Sequence, residues 1–248
     1  MNDFDKEVAA RVASNGGDEA LKAAAHAFTA ASIPPKYSYN FSWLGRPIIQ
    51  YPQDIVAMQE LIWTVQPDLI VETGIAHGGS LILSASMLEL NAACGGPKNA
   101  RVIGIDIDIR AHNRAAIEAH PMFRRITMIQ GSSVAPEIVE QVRALAAGTQ
   151  RVLVCLDSNH THAHVLAELQ AYAPLTSVGS YCMVFDTIVE DLPAESSGAR
   201  PWGPGDNPQD GGLGLPEGPP RVRDRQGDGP QVADQRRARR LPEARSLR

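Results

Sequence analysis

The chain has 248 residues, of which 44% are hydrophobic and 21% are charged, so it can bury one sizeable core. Its net charge of −5 disfavours nucleic acid as a partner. It contains no run of 18 apolar residues and no N-terminal signal pattern, so we expect no transmembrane segment and a cytoplasmic location. Cys155 and Cys182 lie within apolar runs, which predicts buried thiols rather than metal ligands.

Residues 1–50 are predicted to form a helical cap and an aromatic segment. Residues 7–31 have apolar positions at helical spacing, and the Pro-Pro pair after Ile33 should end this helix. The helix is a cap or an arm for homo-oligomer formation. The aromatic residues between 37 and 51 either cover a ligand cleft or close one end of the core. Asp54 is expected to cap the helix that follows.

Residues 51–205 alternate between strand-like and helix-like segments. Strands are predicted at 68–73, 101–106, 125–129, 151–156 and 180–186, and helices near 80–91, 111–119, 134–147 and 161–173. Short apolar strands that alternate with helices indicate an α/β, Rossmann-like domain whose parallel sheet is covered on both faces. Ligands of such sheets bind at the carboxyl ends of the strands.

A glycine-rich turn follows the first of these strands. Residues 72–80 follow the pattern E-x-G-x-x-x-G-G-S and lead into an apolar helix. Glycines allow a close approach to a ligand, and the acidic residue at the strand tip favours a cationic ligand over a phosphate. The alternative is an ordinary tight connection between a strand and a helix.

Polar side chains also follow each of the remaining predicted strands. Asp106 is placed to accept hydrogen bonds from ribose hydroxyls, and Ser132 should lie beside an adenine. Asp157 and Asp186 follow neighbouring strands, and two close carboxylates are costly unless a cation lies between them. Oxygen ligands of this kind suit Mg²⁺.

The histidines allow two interpretations. His160, His164 and Glu168 could together hold zinc on one helix face. We favour His160 as a general base beside the Mg²⁺ site, since it lies three residues beyond Asp157.

Four segments resemble one known family. Residues 44–54, 71–80, 156–162 and 184–191 are similar to the cephalosporin hydroxylase or rhamnosyl O-methyltransferase family, over about residues 35–208. The resemblance implies a class I S-adenosylmethionine-dependent methyltransferase fold that binds Mg²⁺, with Asp157 and Asp186 as metal ligands. The resemblance also implies cofactor contacts at Glu72, Gly74, Gly78, Gly79, Ser80, Asp106 and Ser132. We add His77, which belongs to the same turn. The family has an acidic pair where this chain has Phe185 and Asp186, so the third ligand is left to water or Glu190.

The resemblance and the residues together predict methyl transfer to a hydroxyl of a sugar, glycolipid or related natural product. Two alternatives are a hydroxylase or oxygenase, as the family name suggests, and a non-catalytic remnant. An iron oxygenase needs a facial triad, but Ala163, not an acidic residue, lies between His162 and His164.

Residues 206–248 form a Gly-, Pro- and Arg-rich tail with nine Arg and seven acidic residues. Such a composition predicts disorder after Pro208, so the C-terminal hairpin of a methyltransferase sheet would be missing. We interpret the tail as the result of a frame change in the gene near Asn207. Codons that encode the tail can be chosen so that translation from the second base of each codon gives a helix followed by two strands. An Arg-rich arm that binds nucleic acid or anionic lipid is the rival interpretation.

Overall fold

The computed structural model describes residues 2–192, 198 and 200–213. Helices and strands alternate as the sequence predicts. The helices are α1 Asp3–Gly17, α2 Glu19–Ser32, α3 Pro52–Val65, α4 Gly79–Ala93, α5 Ala111–Glu118, α6 Pro136–Ala146, α7 His162–Tyr172 and α8 Pro208–Leu213. The strands are β1 Phe41–Trp43, β2 Arg46–Ile48, β3 Leu69–Thr73, β4 Arg101–Asp106, β5 Ile126–Gln130, β6 Val152–Leu156 and β7 Cys182–Val184.

Strands β3 to β7 form one parallel sheet in the order β5-β4-β3-β6-β7. The chain runs from β3 outward to β5 on one side, then crosses back to place β6 and β7 on the other side. Neighbouring strands β3 and β6 therefore lead into connections that leave in opposite directions, which opens a crevice at their carboxyl ends. This topology confirms the predicted Rossmann-like α/β fold.

Each face of the sheet packs against its own helices. Buried residues of α3, α4 and α5 form one hydrophobic cluster, and buried residues of α6 and α7 form the other. Both faces are therefore covered, which is why β3 and β6 consist entirely of buried residues. Cys155 and Cys182 are buried free thiols, as predicted.

The N-terminal region differs from its prediction. The expected single helix is two helices, because the Asp18 side chain accepts a hydrogen bond from the Leu21 amide and starts α2. Helix α2 ends at Ser32, as the two prolines predict. The role of Asp54 as a cap is wrong: Tyr51 is the N-cap of α3, Pro52 occupies the first turn, and Asp54 is buried within that turn.

The aromatic segment contains an antiparallel hairpin that the sequence analysis missed. Strands β1 and β2 pair across a two-residue turn in which Leu44 and Gly45 both have positive φ. The hairpin packs against α4, where Trp43 Nε1 donates to Ser86 Oγ at 2.9 Å.

The predicted disorder after Pro208 is wrong for residues 208–213, which form α8. The Asn207 side chain accepts a hydrogen bond from the Gln209 amide and Pro208 follows it, so the helix has a favourable start. Helix α8 packs closely on α7: a Cβ at Gly211 would lie 3.0 Å from the His162 carbonyl oxygen. The rest of the predicted tail, residues 214–248, lies outside the described residues.

Among the described helices, none is both long and apolar enough to cross a membrane.

Candidate functional site

An open cleft of about 190 Å³ lies at the carboxyl ends of β3, β6 and β7. The hairpin forms one wall, the glycine turn another, and the loops after β6 and β7 form the floor and the far side. Of the residues predicted for the site, the cleft is lined by Gly74, His77, Gly79, Ser80, Asp157, His160 and Asp186.

The glycines of the turn allow segments of the chain itself to approach closely. Gly74 has a φ of 88°, and a Cβ there would lie 2.0 Å from the Asp157 carbonyl oxygen. A Cβ at Gly79 would lie 2.2 Å from the Pro47 carbonyl oxygen of the hairpin. The turn can therefore touch the loop after β6 and the hairpin only because these positions lack a side chain.

Side chains from outside the turn fix its conformation. Arg46 donates from Nε to the His77 carbonyl oxygen at 3.0 Å, and its Nη2 donates to Asn113 Oδ1 at 3.1 Å. Asn113 in turn donates to the Ala76 carbonyl oxygen at 2.9 Å. Sequence analysis missed this clamp, since its members are 31 and 67 residues apart in the chain.

Asp106 also holds the turn. Its Oδ2 accepts hydrogen bonds from the Ile75 amide at 2.8 Å and the Ala76 amide at 3.1 Å. The lining of the cleft does not include Asp106, Ser132 or the buried Gly78. The ribose and adenine roles of Asp106 and Ser132 remain predictions.

Glu72 lies beneath the cleft and is only 3% exposed. Its Oε2 accepts a hydrogen bond from Ser84 Oγ at 3.2 Å, while Oε1 is buried without a hydrogen-bond partner. Burial raises the pKa of Glu72 to about 7, against the opposing effect of hydrogen bonds from Ser80 and Ser84.

Asp157, His160 and Asp186 form a cluster on the far side of the cleft. One potential ligand atom from each lies within 4.8 Å of the other two. His160 Nε2 is 3.2 Å from Asp186 Oδ2, and both side chains are largely buried. Asp186 has a φ of 56°, a left-handed conformation that Asp adopts more readily than most residues. Within the part of the chain that the structure describes, no other three acidic, histidine or cysteine side chains come together in this way.

The alternative ligands are engaged elsewhere. His164 Nε2 lies 3.4 Å from Glu168 Oε1 and within hydrogen-bond distance of Ser133 and Ser158. The zinc set of His160, His164 and Glu168 is not assembled, because His160 lies in the loop before α7 and pairs with Asp186 instead. Glu190, suggested as the third Mg²⁺ ligand, is also absent from the cluster; it accepts a hydrogen bond from the Gly205 amide at 2.8 Å.

An aromatic residue completes the far side of the cluster. The Trp202 ring packs edge-to-face against the His160 ring, with centroids 4.9 Å apart. The Trp202 loop is attached through Glu190 and through Asp206, whose Oδ1 accepts a hydrogen bond from the His162 amide. The sequence analysis did not assign Trp202 to the site, and no periodic pattern marks it.

The family model for "Rhamnosyl O-methyltransferase/CmcI" matches residues 35–211, which include the hairpin, the whole sheet and the cluster. The chain belongs to the rhamnosyl O-methyltransferase/CmcI family. The match confirms the resemblance predicted from the four motifs.

Curated relatives carry the same family name. The chain is 29% identical over 163 residues to "Rhamnosyl O-methyltransferase" of Mycobacterium leprae, covering 65% of this chain and 67% of the relative. It is 32% identical over 142 residues to "Rhamnosyl O-methyltransferase" of Mycobacterium bovis, covering 56% of this chain and 54% of the relative. The chain therefore spans between about half and two thirds of these relatives.

Solved structures show a partial likeness. CmcI with Mg and SAM aligns with a TM-score of 0.46 and 22% identity, covering 60% of this chain and 59% of that one. The O-methyltransferase TomG of Streptomyces achromogenes, in complex with SAM, aligns with a TM-score of 0.48 and 19% identity, covering 75% and 73%. The family assignment rests on the family model, and the fold on the sheet itself.

Proposed function

We propose that the chain is an S-adenosylmethionine-dependent, Mg²⁺-assisted O-methyltransferase that acts on a hydroxyl of a sugar, glycolipid or related natural product. One observation carries the proposal: a single cleft joins the glycine turn after β3 to the cluster of Asp157, His160 and Asp186. Membership of the rhamnosyl O-methyltransferase/CmcI family supports it. The chemical class of the acceptor, a cytoplasmic location, the absence of a nucleic-acid partner and any homo-oligomer remain predictions.

The cluster suits a hard divalent cation. The carboxylates of Asp157 and Asp186 are brought together, and their mutual repulsion favours a bound cation between them. Asp157 and Asp186 would hold Mg²⁺, with His160 as the third group of the cluster. When bound, the metal would lower the pKa of an acceptor hydroxyl and hold its oxygen in place.

His160 is our candidate for the group that would take the acceptor proton. With Nε2 protonated and donating to Asp186 Oδ2, the ring keeps Nδ1 as its proton acceptor. Asp186 then fixes the tautomer and stabilises the imidazolium that forms. When bound, the methyl donor would supply its methyl group to the acceptor oxygen and leave as a thioether, and His160 Nδ1 would accept the hydroxyl proton.

The acidic groups around the turn suit a cationic methyl donor. Asp106 lies behind the turn and Asp157 lines the cleft beside it, so the local charge is negative. A sulfonium is attracted by such a site, whereas a pyrophosphate is repelled.

The oxygenase alternative is not favoured. The facial triad of non-haem iron oxygenases uses two His and one carboxylate. The cluster contains two carboxylates and only His160, and neither His162 nor His164 belongs to it. If the chain is instead a non-catalytic remnant, it should bind the methyl donor without turnover.

The first test is Asp157→Ala. We expect this change to abolish Mg²⁺-dependent methyl transfer to a panel of vicinal diols, because the cluster loses a carboxylate, while calorimetric binding of S-adenosylmethionine survives. Asp108→Ala, which removes an exposed carboxylate outside the cleft, is the matched control and should keep both. Loss of donor binding along with turnover would show that Asp157 is structural. A folded wild-type protein that binds no S-adenosylmethionine would contradict the proposed function.

A further inference from the structure

Glu168 is a buried carboxylate that the proposed mechanism does not use. It lies on α7 with none of its surface exposed, beside the buried apolar residues Val165 and Leu169 of the same helix. Its Oε1 accepts a hydrogen bond from Ser158 Oγ at 2.6 Å, whereas Oε2 has no hydrogen-bond partner among the residues that the structure describes. A half-satisfied carboxylate among apolar side chains costs stability, and such departures from the usual rules of packing occur at functional sites.

Ser158 connects this carboxylate to the cleft. It directly follows Asp157, it is half-buried, and it lines the cleft. Its backbone packs against the glycine turn, since a Cβ at Gly74 would lie 3.1 Å from Ser158 Cα. Ser158 is therefore held between the turn and Glu168, at the start of the loop that leads to His160.

His164 supports the same hydroxyl. Its Nε2 lies 3.2 Å from Ser158 Oγ, 3.1 Å from Ser133 Oγ and 3.4 Å from Glu168 Oε1. The Ser158 hydroxyl has one proton, which it donates to Glu168, so we assign a proton to His164 Nε2 as the donor to Ser158 Oγ. Together His164 and Glu168, considered above as zinc ligands, fix the orientation of one serine.

Other contacts hold the two ends of this loop. The Asp157 amide donates to a carbonyl oxygen of β3 at 3.0 Å, which fixes the backbone where β6 ends. The Asn159 side chain accepts a hydrogen bond from the Thr161 amide at 3.0 Å, which fixes the entry into α7. Between these two ends, the bond from Ser158 to Glu168 ties the loop to the core.

We propose that Glu168 is a positioning residue, which acts through Ser158 to hold Asp157 and His160 in the geometry that binds the metal. This inference rests on the proposed function and concerns its metal site. A change in the backbone at Ser158 reorients the adjacent Asp157 carboxylate, so loss of the bond to Glu168 lowers metal affinity although no ligand is removed. Groups that orient metal ligands commonly change metal affinity by about 10- to 100-fold.

The test measures binding of Mn²⁺, which prefers the same oxygen ligands as Mg²⁺, from the electron paramagnetic resonance signal of the free ion. Wild-type protein should bind Mn²⁺ that Mg²⁺ displaces. We expect Glu168→Leu to bind it about tenfold more weakly. Glu168→Gln keeps an oxygen that can accept the Ser158 hydrogen bond, so it should stay within about threefold of wild type.

A double variant tests whether Glu168 acts through Ser158. Ser158→Ala removes the same hydrogen bond from its other end and should weaken Mn²⁺ binding by a similar factor. Adding Glu168→Leu to Ser158→Ala should then cause no further loss, because the bond is already absent. Losses that multiply in the double variant would show that Glu168 acts by another route and would overturn the inference.

Tyr172→Phe is the matched control. Tyr172 lies one turn further along α7, is equally buried, and donates from its hydroxyl to the Ser133 carbonyl oxygen at 2.5 Å. The change removes a buried hydrogen bond from the same helix without altering Ser158. It should lower the temperature of thermal unfolding and leave Mn²⁺ affinity unchanged. If affinity instead falls in Tyr172→Phe as it does in Glu168→Leu, the role of Glu168 is merely structural.

The outcomes separate this inference from the proposed function. Unchanged Mn²⁺ affinity in folded Glu168→Leu and Ser158→Ala would overturn the positioning role and leave the metal site intact. Should Glu168→Leu not fold, Ser158→Ala decides, because it removes the same bond at a half-buried position. If folded wild-type protein binds no Mn²⁺ that Mg²⁺ displaces, the metal part of the proposed function fails and the inference fails with it.

Discussion

Glu72 shows how burial gives one residue a measurable effect on stability. The pKa of its carboxyl is about 7 in the folded chain against an ordinary value of 4.5, because burial disfavours the charged form. Between these two values the folded chain keeps a proton that the unfolded chain has lost. The contribution of Glu72 to the free energy of unfolding is therefore fully present below about pH 4.5 and is lost as pH rises through 7.

Glu72→Gln should remove this dependence. The neutral amide has no charge to bury, so the variant without ligand should gain up to about 3 kcal/mol relative to wild type at pH 8, and little at pH 4.5. Urea unfolding of both proteins across this range measures the difference. Parallel curves for the two proteins would contradict the assignment of the raised pKa to Glu72.

Position 74 requires glycine for two reasons: its backbone has a positive φ, and the loop that carries Asp157 leaves no space for a side chain. Gly74→Ala imposes a positive φ on Ala and drives a methyl group into the Asp157 carbonyl oxygen. We expect a loss of about 3 kcal/mol or more in the free energy of unfolding, with weakened Mg²⁺ binding because Asp157 moves. Gly45→Ala has a similar φ but no atom within 4 Å of the added Cβ, so it should cost only about 1–2 kcal/mol and leave Mg²⁺ binding unchanged. Equal costs would show that strain, and not the clash, dominates at Gly74.

At the scale of elements, the loop that carries Trp202 is attached to the 3-10 turn after β7. Glu190 Oε2 accepts hydrogen bonds from the Gly205 amide and from Asn207 Nδ2, and Asn207 starts α8. A single carboxylate therefore joins the loop, α8 and the tip of β7. The same loop carries Trp202, whose ring packs against His160.

Glu190→Ala should release the loop. Since two hydrogen bonds to a charged group are lost, we expect hydrogen–deuterium exchange in residues 200–213 to become about tenfold faster or more, with β3 and β6 unchanged. Asp191→Ala, at the exposed neighbouring position, is the control and should leave exchange at the wild-type rate. Unchanged exchange in Glu190→Ala would mean that Asp206 and α8 alone hold the loop.

At the scale of the whole molecule, the sheet has an unpaired side at β7. Within residues 2–192, 198 and 200–213, β7 pairs only with β6, so its outer edge has no strand partner. A free edge beside Asp186 invites association with other chains. The frame change near Asn207 remains our hypothesis for the tail, because codons for the tail can be chosen whose second-base reading encodes two further strands.

Restoring that frame should stabilise the protein. A chain in which the second-base reading replaces residues 209–248 is expected to unfold at a temperature higher by ~5 °C or more, because added strands cover the edge. A chain that ends at Leu213 is the control for removal of the tail alone. Equal melting temperatures for the restored and original chains, or a gene in which no single-base change opens the frame, would contradict the hypothesis.

The sequence by itself determined the sheet, because its strands are short, mostly apolar runs, and the central β3 and β6 are apolar enough to be buried on both faces. It also placed Asp157 and Asp186 at neighbouring strand tips, since carboxyl ends of parallel strands meet at one edge. Only the tertiary structure decided that His160 joins Asp186 rather than His164, that Arg46 clamps the glycine turn, and that Ser158 donates to the buried Glu168. These contacts join segments far apart in the chain, and their geometry depends on packing that no local pattern encodes.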